Sequence, residues 1–193
     1  GVLYPEYPFG KFEISSKANN IYHSVREAYH MMRLDIKNWG MPEWNPLGEI
    51  VKPGNTVLIK PNLVKELNYI KENGTDCLYT HPSVAAAVID YVVIALKGKG
   101  KIIVGDAPVQ ECKWTTLINQ SGYEELIEWY KEHSINIELI DFRELSSEIK
   151  RGIYVQSVNS YAKGKVIDLG SDSDFSDTFQ KDYKRIRITN YDP

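Results

Sequence analysis

Lys101-Ile102-Ile103-Val104-Gly105-Asp106-Ala107-Pro108 is the stretch on which the reading of the fold turns. A short β-branched run that ends in Gly-Asp and a proline reads as a buried strand leading into a turn. Gly98 and Gly100 stand before it. Upstream, Thr56-Val57-Leu58-Ile59 is a run of the same kind, held between Pro53-Gly54-Asn55 and Pro61, and reads as a central strand. Downstream, residues 135–142 form a third, with Ile137, Leu139 and Ile140 supplying its apolar character. Helical stretches fill the intervals, at 82–97 between the first two strands and at 114–120 and 123–133 between the second and third. Pro82 suits the first turn of a helix and Gly98 its C-terminal cap. The order βαβαβ needs long crossovers, and such crossovers are right-handed. The expected fold class is therefore α/β, a parallel twisted sheet with helices on both faces. The 82–97 helix carries Val84, Val88, Ile89, Tyr91, Val92, Val93, Ile94 and Leu96, so it must be covered nearly all round.

Outward from this core the character changes. Residues 20–37 space Ile21, Val25, Ala28, Met32 and Ile36 as the core face of an amphipathic helix. His23, Arg26, His30, Arg33 and Lys37 follow one another at steps of three and four, forming a basic stripe. Its ordinary reading is a solvated face, and its functional one is an anion- or partner-binding surface. Residues 39–53 hold Gly40, Pro42, Pro46, Gly48 and Pro53, which makes a loop carrying Trp39 and Trp44. Beyond Glu144, residues 153–158 and 165–169 read as an antiparallel hairpin joined across 159–164. Residues 183–190 set Ile186 and Ile188 against Arg185 and Arg187, a final half-exposed strand. The expected organisation is one α/β domain over 1–193: a helix and Pro/Gly/Trp loop to 55, the core over 56–143, and a β extension over 144–193.

Composition narrows the function classes. The chain has 193 residues, 42% hydrophobic and 25% charged, with a net charge of −3. No global basic field draws it to nucleic acid. The longest apolar stretch, 84–96, is interrupted by Asp90 and falls short of the roughly 20 residues that span a bilayer. Two cysteines, Cys77 and Cys112, are too few for a disulfide framework or an iron–sulfur cluster. A reducing, cytoplasmic location is the expectation, with neither membrane nor nucleic acid as partner.

In an open parallel sheet ligands bind outside the carboxyl ends of the strands, where the loops converge. Three such loops are Lys60-Pro61-Asn62-Leu63, Gly105-Asp106-Ala107-Pro108 and Asp141-Phe142-Arg143. Thr80-His81-Pro82-Ser83 joins them if residues 64–79 fold back across the sheet edge. Lys60 and the start of the apolar helix suit a phosphate or carboxylate, and Asn62 suits a hydrogen bond to it. His81 is the candidate for proton transfer, and Asp106 for orienting a base or ligating a metal. Thr80 and Asp141 complete the ligand-binding candidates on this edge. Each has a structural alternative: Lys60 snorkelling at a strand end, Asn62 capping a turn, Asp106 serving the turn before Ala107-Pro108. No GxGxxG follows the first strand and no GxxxxGK[ST] occurs, so no nucleotide cofactor is assigned, and no metal site either. Cys112, after Gln110-Glu111, reads as an inert small residue rather than a reactive thiol.

Val57-Leu58-Ile59-Lys60-Pro61-Asn62-Leu63, Thr80-His81-Pro82 and Lys101 to Pro108, in this order, resemble the domain of unknown function 362 family. The closing Arg187-Ile188-Thr189-Asn190-Tyr191-Asp192-Pro193 resembles a segment of it too, which adds Asn190 to the ligand-binding candidates. The resemblance implies no reaction, since the family's activity is not established. Some members carry ferredoxin-like iron–sulfur modules, which makes an iron–sulfur protein an implied partner, while the two cysteines here carry over no cluster. The family pattern continues into lysine-rich motifs, which implies that this chain is an N-terminal portion of a longer protein. The expected function is the substrate- or cofactor-binding part of an enzyme acting on an anionic small molecule. The alternative is a noncatalytic interaction or redox-partner module.

Overall fold

The computed structural model describes residues 4–10, 19–68, 70, 74–151 and 153–158. All lie in Gly1–Ala162, the first of two compact units into which the chain divides. The elements are α1 (Asn20–Met31), β1 (Thr56–Ile59), α2 (Pro82–Leu96), β2 (Lys101–Asp106), α3 (Trp114–Ser121), α4 (Tyr123–Glu132), β3 (Ile137–Asp141), β4 (Leu145–Lys150) and β5 (Ile153–Val158). The βαβαβ core is present as read: β1, β2 and β3 form a parallel sheet in that order. Thr56 pairs with Lys101 and Ile102 with Ile137, so side chains line up across all three strands.

Alternation along the strands decides which face is buried. Val57, Ile59, Ile102, Val104, Ile137 and Leu139 point into one core with Ile89, Val92, Leu117, Ile127 and Tyr130 from the helices. Because consecutive right-handed crossovers in the order 1-2-3 land on the same side, α2 and α4 touch each other over this face. Of the two faces expected to be covered, the described helices cover one. Leu58 is on the other face and 59% exposed. Within the described sheet β1 is therefore an edge strand, paired with β2 alone, rather than a central one. The apolar helix α2 behaves as its composition demands, with no fully exposed position from Pro82 to Leu96. It opens with Pro82 at its first turn and closes on Lys97, whose left-handed φ of 51° precedes Gly98.

The N-terminal helix departs from its expected face. Asn19 caps it by accepting from the Ile21 and Tyr22 backbone N–H groups at 3.1 Å. It ends at Met31, because Arg33 and Asp35 take left-handed conformations and break the run to Lys37. Its buried residues are Tyr22 and Arg26, while Ile21, Met32 and Ile36 are exposed. The aliphatic stripe loses because α1 packs into an aromatic layer, in which Tyr4, Tyr22, Trp44, Ala87 and Tyr91 make a second core. Arg26 leaves the expected basic stripe for the same reason. Its Nε sits 2.6 Å from Glu6, and its guanidinium lies 3.9 Å from the Trp39 ring. A buried cation between a carboxylate and an indole is part of the core, so the stripe is not one continuous surface.

The hairpin also has a different partner from the one expected. Residues 153–158 do form a strand, β5, but it pairs with β4, from Leu145 opposite Val158 to Lys150 opposite Ile153. The sequence reading missed β4 because Leu-Ser-Ser-Glu-Ile-Lys lacks a β-branched run. The expected strands at 165–169 and 183–190 lie outside the described residues.

Candidate functional site

The loop after β1 is drawn back over the sheet edge by a second segment of chain. Leu63 bridges Tyr79 in antiparallel fashion, and the Val64 N–H donates to the Leu78 carbonyl at 2.9 Å. Two further bonds close the pair: Thr80 N–H to the Asn62 carbonyl at 2.7 Å, and Asn62 N–H to the Thr80 hydroxyl at 3.0 Å. The pairing of 62–64 with 78–80 makes the return that the sequence reading required, and Thr80-His81-Pro82 arrives beside Lys60-Pro61-Asn62. Tyr123, the first residue of α4, fixes this arrival by donating its hydroxyl to the Thr80 carbonyl at 3.0 Å.

Asp106 ties the second loop to the first. One carboxylate oxygen accepts the Leu63 N–H at 2.7 Å; the other accepts the Ala107 N–H at 2.8 Å and meets the Lys60 ammonium at 2.8 Å. Burial on its own raises this carboxyl, yet the Lys60 ammonium and the two N–H groups outweigh it and hold Asp106 below the usual carboxylate range. Asp106 is therefore an anion whose work in this structure is to position Lys60 and the two loops. The Lys60 side chain remains 55% exposed. An ammonium has three donors, and one contact with Asp106 leaves two for a solute anion.

His81 stands at the N-cap of α2, fully outside the core. Its Nδ1 accepts from the Ser83 N–H at 3.2 Å and lies 2.7 Å from the Ser83 hydroxyl. With Nδ1 used as an acceptor, the neutral ring carries its hydrogen on Nε2. Lys60, Asn62, Thr80 and Asp106 are thus brought together by direct contacts, with His81 following Thr80 in the chain. Asn190 lies outside the described residues.

Asp141 shares the edge without sharing this cluster. It is the register partner of Asp106, but its carboxylate receives Arg143, with Nη2 at 2.6 Å and Nε at 3.0 and 3.1 Å. Arg143 is buried, and its Nη1 donates at 3.0, 3.1 and 3.0 Å to the carbonyls of Val109, Gln110 and Cys112. Sequence reasoning gave Arg143 no role; an arginine two residues past an aspartate at a strand end was the signal. It also missed why position 105 is glycine. A Cβ there would stand 2.1 Å from the Ile140 carbonyl and within 2.8 Å of the Phe142 ring. Cys112 is buried and its thiol is pushed up to about 12, first by burial and then by Glu66, which makes it inert as read.

Among the described residues no three His, Cys, Asp or Glu side chains are grouped to hold a metal ion. Among them, too, no helix is long and apolar enough to cross a membrane. Comparison with curated proteins and with solved structures found no significant match. The family comparison did. The model of a domain of unknown function, DUF362, matches residues 57–168, more than half of the chain, and takes in β1, the returning 79–82 segment, β2 and its Gly-Asp-Ala-Pro turn. The chain belongs to the DUF362 family.

Proposed function

We propose that this chain is the substrate- or cofactor-binding part of an α/β enzyme, and that it receives an anionic small molecule at the carboxyl edge of β1 and β2. The observation that carries this reading is Lys60, an exposed ammonium held at 2.8 Å by a buried carboxylate. An exposed lysine with no function gains little from such a tether, since ordering its long side chain offsets most of a solvent-screened ion pair. A lysine that must meet an anion gains a fixed approach. In this reading Lys60 binds the anion, the Asn62 amide and Thr80 line its seat, and Asp106 positions the ammonium. His81 exchanges a proton through Nε2, and the first turn of α2 adds its dipole. Two free thiols, one of them exposed at Cys77, support a reducing, cytoplasmic setting.

Thermal shift with phosphorylated sugars, nucleotides and acyl carboxylates tests this directly. Ligand at 100 times its Kd stabilises by about 2.7 kcal/mol, which moves the midpoint measurably. One anion class is expected to shift the wild type and to leave Lys60→Met unmoved. Equal shifts in both proteins, or none in either, overturn the reading.

A second reading, a noncatalytic module that docks an iron–sulfur protein, is favoured by the end of α1. There Met31 and Met32 are exposed beside Arg33 and Lys37. Reversing both charges is expected to weaken binding to a ferredoxin in a salt-dependent way. Binding that ignores charge and salt removes this reading.

A further inference from the structure

We propose that Asp90 keeps its proton in the folded protein, and that this proton pins a pH-sensitive joint between α2 and α4. The Tyr130 hydroxyl oxygen lies 2.6 Å from Asp90 Oδ1 and 3.0 Å from the Ala86 carbonyl oxygen. A phenol has one hydrogen. If Asp90 were ionised, both neighbours would be acceptors only, and one of the two contacts would hold no hydrogen. With the proton on Asp90 both are filled: Asp90 donates to Tyr130, and Tyr130 donates to Ala86.

The surroundings agree. Asp90 is 5% exposed. The cation of this core, Arg26, is already bound to Glu6 through Nε at 2.6 Å and Nη2 at 3.3 Å, and Glu6 also accepts the Tyr91 hydroxyl at 3.0 Å. Among the described residues, the titratable groups beside Asp90 are Tyr130 from α4 and Tyr22 from α1, with Tyr91 of α2 and Glu6 and Tyr7 of the N-terminal segment around those two phenols. His133, one turn beyond Tyr130, turns its Nδ1 to the Trp129 carbonyl at 2.8 Å. None of these compensates a charge on Asp90. Burial accordingly raises its carboxyl to about 7.

Loss of the proton has a mechanical consequence. Helix α4 holds α2 and the segment that leads into it at two levels, with Tyr123 on the Thr80 carbonyl just before the helix and Tyr130 on the Ala86 carbonyl within it, each at 3.0 Å. An ionised Asp90 takes the only hydrogen of Tyr130, so the grip on Ala86 is released and a bare charge stays in the core. In the unfolded chain this aspartate titrates near its ordinary value of about 3.9. The stabilisation is therefore complete below that value and is lost as pH rises through about 7.

Carbon-13 NMR of the aspartate side-chain carboxyls across pH 3 to 9, on the wild type and Asp90→Asn, tests the proposal. One carboxyl is expected to titrate near neutral in the wild type and to be missing from the variant. Urea unfolding is expected to show a wild-type unfolding constant that rises, relative to Asp90→Asn, by up to tenfold per pH unit between about pH 5 and 6.5. If every aspartate has finished titrating below about pH 5, or if the two pH profiles run parallel, the proposal is wrong. Should Asp90→Asn fail to fold, the wild-type spectrum still decides, because it shows whether any aspartate titrates near neutral.

Discussion

Asp106 and Asp90 are both buried aspartates, and the molecule treats them in opposite ways. At the sheet edge Asp106 meets two backbone N–H groups and an ammonium, and stays ionised. In the joint between α2 and α4 Asp90 meets a phenol and, among the described residues, no cation, and its carboxyl is pushed up to about 7. Burial raises both; the number of donors within reach decides the outcome. The edge is thus built around a fixed charge and the joint around a fixed proton. Substitutions that change donors, rather than burial, should separate the two regions.

The largest expected effect comes from dismantling the edge beneath Asp106. Arg143→Ala takes the guanidinium away from the Asp141 carboxylate and from three carbonyls, at a cost of about 3–5 kcal/mol in urea unfolding. Gly105→Ala drives a Cβ into the Ile140 carbonyl and should cost about 3 kcal/mol, since β2 and β3 must part to admit it. If Gly105→Ala is neutral, the strands at the edge are not in the close contact that aligns Asp106 with Asp141.

Asp106→Asn should cost about 2 kcal/mol at pH 7, and its sign against pH runs contrary to that of Asp90. The carboxyl of Asp106 is lowered in the fold, so its contribution is present above about pH 4 and disappears as pH falls through the lowered value. Denaturation at pH 3, 5 and 7 should therefore show the Asp106→Asn penalty shrinking toward acid, while any benefit of Asp90→Asn appears toward alkali. Parallel behaviour would abolish the contrast. The smallest effect is that of Lys60→Met, below about 1 kcal/mol because the ammonium is largely in solvent. A larger loss would move Lys60 from ligand binding to structure.

The parts of this fold that were legible in the sequence are those set by local pattern. Ile102 and Val104 alternate into the core, Pro82 and Lys97-Gly98 bracket α2, and the turn after Val104 marks a strand end. The edge cluster was legible because one topological rule places Lys60, Asn62 and Asp106 together. What escaped depends on partners distant in the chain. Arg26 looks like a surface cation until Glu6, twenty residues earlier, is folded against it. Tyr130 looks like core filling until it is seen to share a hydrogen with Asp90, forty residues away. The face of α1 was misjudged because hydropathy ranks Ile21 and Met32 above Tyr22, whereas the surface it meets is built of Tyr4, Trp44 and Tyr91.

Arg143 has one more consequence. The segment from Val109 to Cys112 has no regular structure of its own beyond a Cys112 N–H bond to the Val109 carbonyl at 2.9 Å. Yet three of its carbonyls end on one guanidinium that is itself locked to β3. To open, the segment must break all of these bonds at once and leave a buried cation behind. Its bonded amide hydrogens, that of Val109 on the Val64 carbonyl and that of Cys112 on the Val109 carbonyl, should then exchange with deuterated solvent only when the sheet itself opens, as slowly as those of β3, so that an irregular loop belongs to the same cooperative unit as the strand.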